Sequence, residues 1–148
     1  MNMLFRIVFF TLSILVSSCA TSLYDHYTFT ETLEAKVQTE SLIKQSVNPY
    51  TAHAAEIVFL KNRLNKMVMY ERSKSKNPIT LKMWEFVNSK NSSIHQFIEL
   101  WKEKGTLSPV FTEEYSEQAN EIFQLMLDYE SKKDTESESA LLRVIGAL

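Results

Sequence analysis

A chain of 148 residues has room for one hydrophobic core. Its 45% hydrophobic and 23% charged residues are those of a folded domain rather than a disordered one, and a formal net charge of -2 gives it no overall field for nucleic acid. The 2 glycines and 3 prolines are too few to turn the many hairpins of a β fold, and the single cysteine excludes an intramolecular disulfide and any multi-cysteine metal site.

The N-terminus opens Met1-Asn-Met-Leu-Phe-Arg6, with one cationic side chain. Ile7 to Val16 is a run of about ten mostly apolar residues, closed by the small residues Ser17-Ser18-Cys19-Ala20. A spanning helix takes roughly 20 apolar residues, so the run has the proportions of a secretory signal peptide instead. Val16-Ser17-Ser18-Cys19 resembles the lipobox of bacterial lipoproteins, an aliphatic residue and two small ones before the cysteine whose thiol accepts diacylglycerol. The resemblance covers the first 20 or so residues and no more. It implies removal of residues 1–18, a mature N-terminus at Cys19 and attachment to a membrane through palmitate-type chains. Each buried CH₂ contributes about 0.8 kcal/mol, so two or more chains make a stable anchor. Ala20 stands where an Asp would signal inner-membrane retention, and the resemblance therefore points to the outer membrane. Residues 19–27 are then a short tether, with Tyr24 and Tyr27 either resting among the headgroups or covering one end of the domain.

Residues 28–131 carry four amphipathic segments. Thr28-Phe-Thr-Glu31 has the pattern of a capping box, opening a helix to about Ser46 with Phe29, Leu33, Val37, Ile43 and Val47 on one face. Asn48-Pro49 opens the second segment, whose stripe is Ile57, Leu60, Leu64, Met67 and Val68, widened by Val58 and Phe59. Ser73 to Pro78 is a loop. The third segment is broken: Leu81, Trp84 and Val87 share a face, Asn88 to Ser93 interrupts, and Ser93-Ile-His-Gln96 restarts it ahead of Ile94, Phe97, Ile98 and Trp101. Gly105 stops that helix, and Ser108-Pro109 opens the last, with Tyr115, Ala119, Ile122, Met126 and Tyr129 in its stripe. Residues 132–148 read as a charged, serine-rich linker and a short apolar tail. The expected fold is all-α: a small antiparallel up-down-up-down bundle of about four helices, the third broken.

Chemistry is sparse. His53 precedes Glu56 by three residues and His95 precedes Glu99 by four, the reverse of the Glu-x-x-His order of carboxylate-bridged metal bundles, so no metal is expected. No covalent haem motif, nucleophile elbow, zinc-protease helix or phosphate-cradling glycine loop is present, and no enzyme activity or cofactor is expected. Seven cations stand between Lys61 and Lys82 against Glu71 alone, and nine acids between Glu113 and Glu138 against Lys132 and Lys133. The expectation is two mutually attractive faces, with Arg72, Lys74 and Lys76 the candidate interaction patch should an anionic partner exist.

These readings converge on a non-catalytic, lipid-anchored envelope protein that binds or positions another envelope protein, in an assembly, immunity or exclusion role. The alternative is a small-molecule or lipid carrier with a pocket between helices lined by Trp84, Phe97, Trp101 and Tyr115.

Overall fold

A computed structural model describes residues 23–146; the expected signal peptide and the candidate lipidation site Cys19 lie outside them. Among the described residues the fold is all-α, six helices without a strand. In chain order these are α1 (His26–Gln45), a 3₁₀ turn (Tyr50–His53), α2 (Ala54–Arg72), α3 (Pro78–Val87), α4 (Ser93–Lys104), α5 (Pro109–Lys132) and α6 (Thr135–Gly146).

Hydrogen bonds at the two ends fix the directions. At one end the α1–α2 loop meets the α4–α5 loop: Tyr50 N–H donates to Gly105 O at 2.8 Å, Leu107 N–H to Ser46 O at 2.8 Å, and Trp101 Nε1–H to Asn48 O at 3.0 Å. At the other, hereafter the base, the start of α1 meets the ends of α2 and α5 and the start of α3. The chain thus runs up through α1, down through α2, up through α3 and α4, and down through α5. The expected broken third arm is real, and Asn88 caps α3 where the interruption begins.

Local chemistry sets the ends. Ser108 accepts from Phe111 N–H with Pro109 in the first turn, as expected. Gly105 ends α4 at φ 78, a conformation that costs a residue with a Cβ. Other boundaries move. The N-cap of α1 is Asp25, whose carboxylate accepts from Tyr27 and Thr28 N–H, and not Thr28. The N-cap of α4 is Ser92, one residue before the expected serine. Asn48-Pro49 opens a 3₁₀ turn, and α2 proper starts at Ala54.

The core is built from Leu42, Ile43, Ile57, Leu60, Leu64, Met67, Trp84, Phe97, Ile98, Trp101, Phe123 and Met126, all with at most 3% of their surface exposed. The stripes of α2 and α5 largely hold, but Val58 and Phe59 point outward. The face of α1 is corrected. It buries Thr28, Thr32, Ala35, Thr39, Leu42 and Ile43, while Leu33, Val37 and Val47 are exposed. α1 packs most extensively against α5, and small side chains along this stripe let two helices approach closely. The Thr32 hydroxyl needs no outside partner, because it donates to Thr28 O at 2.7 Å within its own helix.

The expected C-terminal linker is also corrected. α5 continues to Lys132, only Lys133 and Asp134 separate it from α6, and α6 packs on α5 and α3 with Leu141 buried. Asp134 accepts from Ser137 N–H at 2.8 Å, opening α6 where Glu136 and Glu138 favour a helix N-terminus.

Candidate functional site

The base of the bundle holds the densest polar cluster among the described residues. Glu71 sits in the last turn of α2 and Glu130 in the last turns of α5, with 0% and 2% of their surface exposed. Each is followed three residues later by a lysine that turns back onto it, in Glu71-Arg-Ser-Lys74 and Glu130-Ser-Lys-Lys133. The Lys74 ammonium lies 2.8 Å from Glu71 Oε1 and that of Lys133 2.6 Å from Glu130 Oε2. Each pair also takes in a buried threonine hydroxyl. Thr28 donates to Glu71 and accepts from Lys74 at 2.9 Å; Thr80 donates to Glu130 at 3.4 Å and accepts from Lys133 at 3.0 Å. Asn77 adds a third donor to Glu71.

Asp25 joins the two units. Its backbone N–H donates to Glu130 Oε1 at 3.0 Å, while its carboxylate lies 2.6 Å from the Lys74 ammonium and accepts from the Tyr70 hydroxyl at 2.9 Å. Burial works against the charge of Asp25. The Lys74 ammonium, the Thr28 N–H and the Tyr70 hydroxyl outweigh it and hold the carboxyl at about 2. The same contacts act on the partners: Lys74 is raised by Asp25 and Glu71 against the opposing effect of burial, and Tyr70 is raised by burial and by Asp25. Both lysines stand at helix C-termini, where the macrodipole favours a cation. Lys133 does so in a left-handed conformation at φ 50, its N–H capping Tyr129 O at 2.8 Å.

The three cations of the candidate patch are not held together. Lys74 is drawn into this cluster, Arg72 turns to Glu85 at 2.7 Å, and Lys76 is exposed and has no acidic partner among the described residues. The expected attraction between the basic segment and the acidic α5 is replaced by other pairings. Lys61 meets Glu99 of α4, Arg63 meets Glu31 and Glu34 of α1, and Lys66 meets Glu31 at 2.8 Å. Residues far apart in sequence decide these pairs, and Glu113, Glu114, Glu117 and Glu121 of α5 instead face solvent.

The aromatic residues of the carrier reading pack on each other. Phe97 lies 6.0 Å from Trp101 and 5.3 Å from Tyr115 between ring centroids, and Trp101 also meets Tyr50 and His53. Trp84 is wholly buried and its indole N–H has no hydrogen-bond partner. His53 Nδ1 lies 2.6 Å from Glu56. His95 is lowered by burial and by Lys61, against Glu99. Among the described residues no three His, Cys, Asp or Glu side chains gather as a metal site would require, and no helix is long and apolar enough to cross a membrane. The outward Val37 and Phe59 line a groove of about 360 Å³ between α1 and α2, rimmed by Glu34, Glu56 and Arg63, with Arg63 over the Phe59 ring at 5.5 Å.

Sequence reasoning did not find the basal cluster. Its signal was present in two Glu-x-x-Lys units at helix ends and in threonines at helical spacing. The chain matches no protein-family model, no curated protein and no solved structure.

Proposed function

We propose that this chain is a lipid-anchored protein of the bacterial cell envelope, held by acylated Cys19, whose helical domain binds or positions another envelope protein. The observation that carries the anchor is the lipobox-like Val16-Ser17-Ser18-Cys19, with the chain's one cysteine at the end of a short apolar run. Its close approach to the folded domain supports the reading, since Asp25 is already tied into the bundle six residues later. Ala20 favours the outer membrane as destination. For the domain itself, support for a protein-binding role comes from the exposed groove holding Val37 and Phe59, where apolar surface is left open beside charged rims that give register.

The deciding experiment is metabolic labelling with palmitate. Wild-type chain takes up label and fractionates with membranes, while Cys19→Ser takes up none and accumulates unprocessed or soluble. Label persisting in Cys19→Ser would overturn the anchor.

A further inference from the structure

The basal cluster sits where the chain leaves the domain for its anchor, and this fixes more than attachment. Resting on the lipid-anchored reading above, we propose that the bundle stands end-on, its base against the phospholipid headgroups, with Leu23, Tyr24, Lys76 and Lys132 the side chains that meet them.

At about 3.3–3.6 Å per extended residue, the six steps from Cys19 to Asp25 span at most roughly 20 Å. Slack cannot be drawn from the domain, because Asp25 is held by Lys74, Tyr70 and Glu130 together. α1, at 20 residues and about 1.5 Å per residue, carries the opposite end some 30 Å away. The base is therefore the part that the anchor keeps at the surface.

Around the base stand Leu23, 86% exposed, and Tyr24, 51% exposed, an apolar and an amphipathic side chain suited to the headgroup boundary. The α2–α3 loop and the α5–α6 turn converge there, through Lys74 on Asp25 and Lys133 on Thr80. They bring exposed Lys76 and Lys132, which form no ion pair among the described residues and whose ammonium groups can reach phosphate, beside exposed Asp134 and Glu136 at the start of α6. The flanks suit a lipid surface less. α5 lines its flank with exposed Glu113, Glu114, Glu117 and Glu121, which phosphates repel. The outward side of α2 carries exposed Val58, Phe59 and Met69, but Asn62 and Asn65 interrupt them at its centre, and their amides gain nothing from an acyl layer.

Because acylation consumes Cys19, an introduced cysteine is the one free thiol of the chain. Ser75→Cys and Ser131→Cys at the base, Asn62→Cys on the α2 flank and Thr106→Cys at the opposite end can each carry a fluorophore. Each full-length, processed protein is placed in vesicles of phosphatidylethanolamine and phosphatidylglycerol containing a headgroup-spin-labelled lipid, and its acyl mass is read by mass spectrometry. End-on standing gives quenching at Ser75 and Ser131 several-fold above Thr106, with Asn62 between. Equal quenching at both ends in an acylated, vesicle-bound sample refutes the orientation and leaves the anchor intact. Quenching at Asn62 as strong as at Ser75 means that the bundle lies on its α2 flank and also refutes it. Protein that proves unacylated and unbound overturns the anchor reading, and the orientation falls with it.

Discussion

Replacing Lys133 by Met tests whether the base is held by its charges. Lys133 and Glu130 have side chains only 9% and 3% exposed, with 2.6 Å between ammonium and carboxylate. Met keeps much of the lysine's length and apolar contact while removing the charge, so the loss reports the pair rather than a cavity. Glu130 would keep the Asp25 N–H and the Thr80 hydroxyl as donors but would have no countercharge. Breaking a buried pair in this way costs about 3–5 kcal/mol. A domain of this kind is stable by only about 5–15 kcal/mol, so the variant stays folded but with a plainly shifted urea midpoint. Two comparisons separate the causes. Lys133→Gly, measured against Lys133→Ala, which loses the same pair and nearly the same apolar contact, relieves the left-handed backbone at φ 50 and so costs about 1 kcal/mol less. Glu130→Gln is destabilising alone but stabilising in the Lys133→Met background, because it removes the stranded charge and keeps an acceptor for Asp25 N–H. A loss below about 1 kcal/mol for Lys133→Met, in the range of exposed pairs, would refute the reasoning. So would an equal loss from Glu130→Gln in both backgrounds.

The core assignment predicts that Leu64→Ala, at a fully buried position, costs about 2–5 kcal/mol. Val37→Ala, on the corrected outward side of α1 and 57% exposed, shifts stability by no more than about 0.5 kcal/mol; equal urea midpoints would show that the faces are misassigned. Asp25 predicts an acid limb. Its carboxyl is depressed from 3.8 to about 2, so the stabilisation it gives is complete above the unfolded value and is lost as pH falls from about 4 through about 2. Allowing for its partial exposure, about 1 kcal/mol disappears across that window, and Asp25→Asn removes this part of the pH dependence in acid titrations followed by circular dichroism. Gly105→Ala places a Cβ in open space but forces it to φ 78, so it costs about 1 kcal/mol by backbone strain alone; an unchanged melting temperature would contradict that conformation.

Where the fold was legible in the sequence, a local rule was enough. Ser108-Pro109 and Gly105 act within one turn of chain, and the break after Val87 shows as a polar run between two apolar stripes. The face of α1 is not legible from hydrophobicity, because size decides it. Leu33 and Val37 are more apolar than Thr28, Thr32 and Thr39, yet packing against α5 selects the smaller side chains. α6 resembles a linker in sequence because its charges cluster at its start. Glu136 and Glu138 read as linker until Asp134 is seen to cap a helix whose later residues, led by Leu141, are apolar. The partners of the basic segment could not be read at all. Charge counts show that Lys61 to Lys82 needs acids, while only the tertiary path decides that Glu31, Glu85 and Glu99 supply them.

The basal cluster was illegible for a deeper reason. A glutamate three residues before a lysine at a helix end normally marks a solvated pair worth little. Here the two units are buried by residues from elsewhere: Thr28 and Asp25 from the start of α1, Thr80 from α3 and Asn77 from the loop before it. Buried charges are a poor source of net stability compared with apolar side chains of the same volume, but they are unforgiving of misplacement. Moving α1 along its axis by one turn exchanges Thr28, Thr32 and Ala35 for the similarly small Thr32, Ala35 and Thr39 in its packing stripe, a tolerable change for contacts without direction. The same slip takes Asp25 N–H from Glu130 and the Thr28 hydroxyl from Glu71, leaving two carboxylates under-satisfied in a site with little access to water. The cluster therefore adds register to a stripe that cannot supply it. It does so at the end of the bundle that the anchor reading places nearest the membrane, where slack in α1 would lengthen the tether by the rise of each residue released.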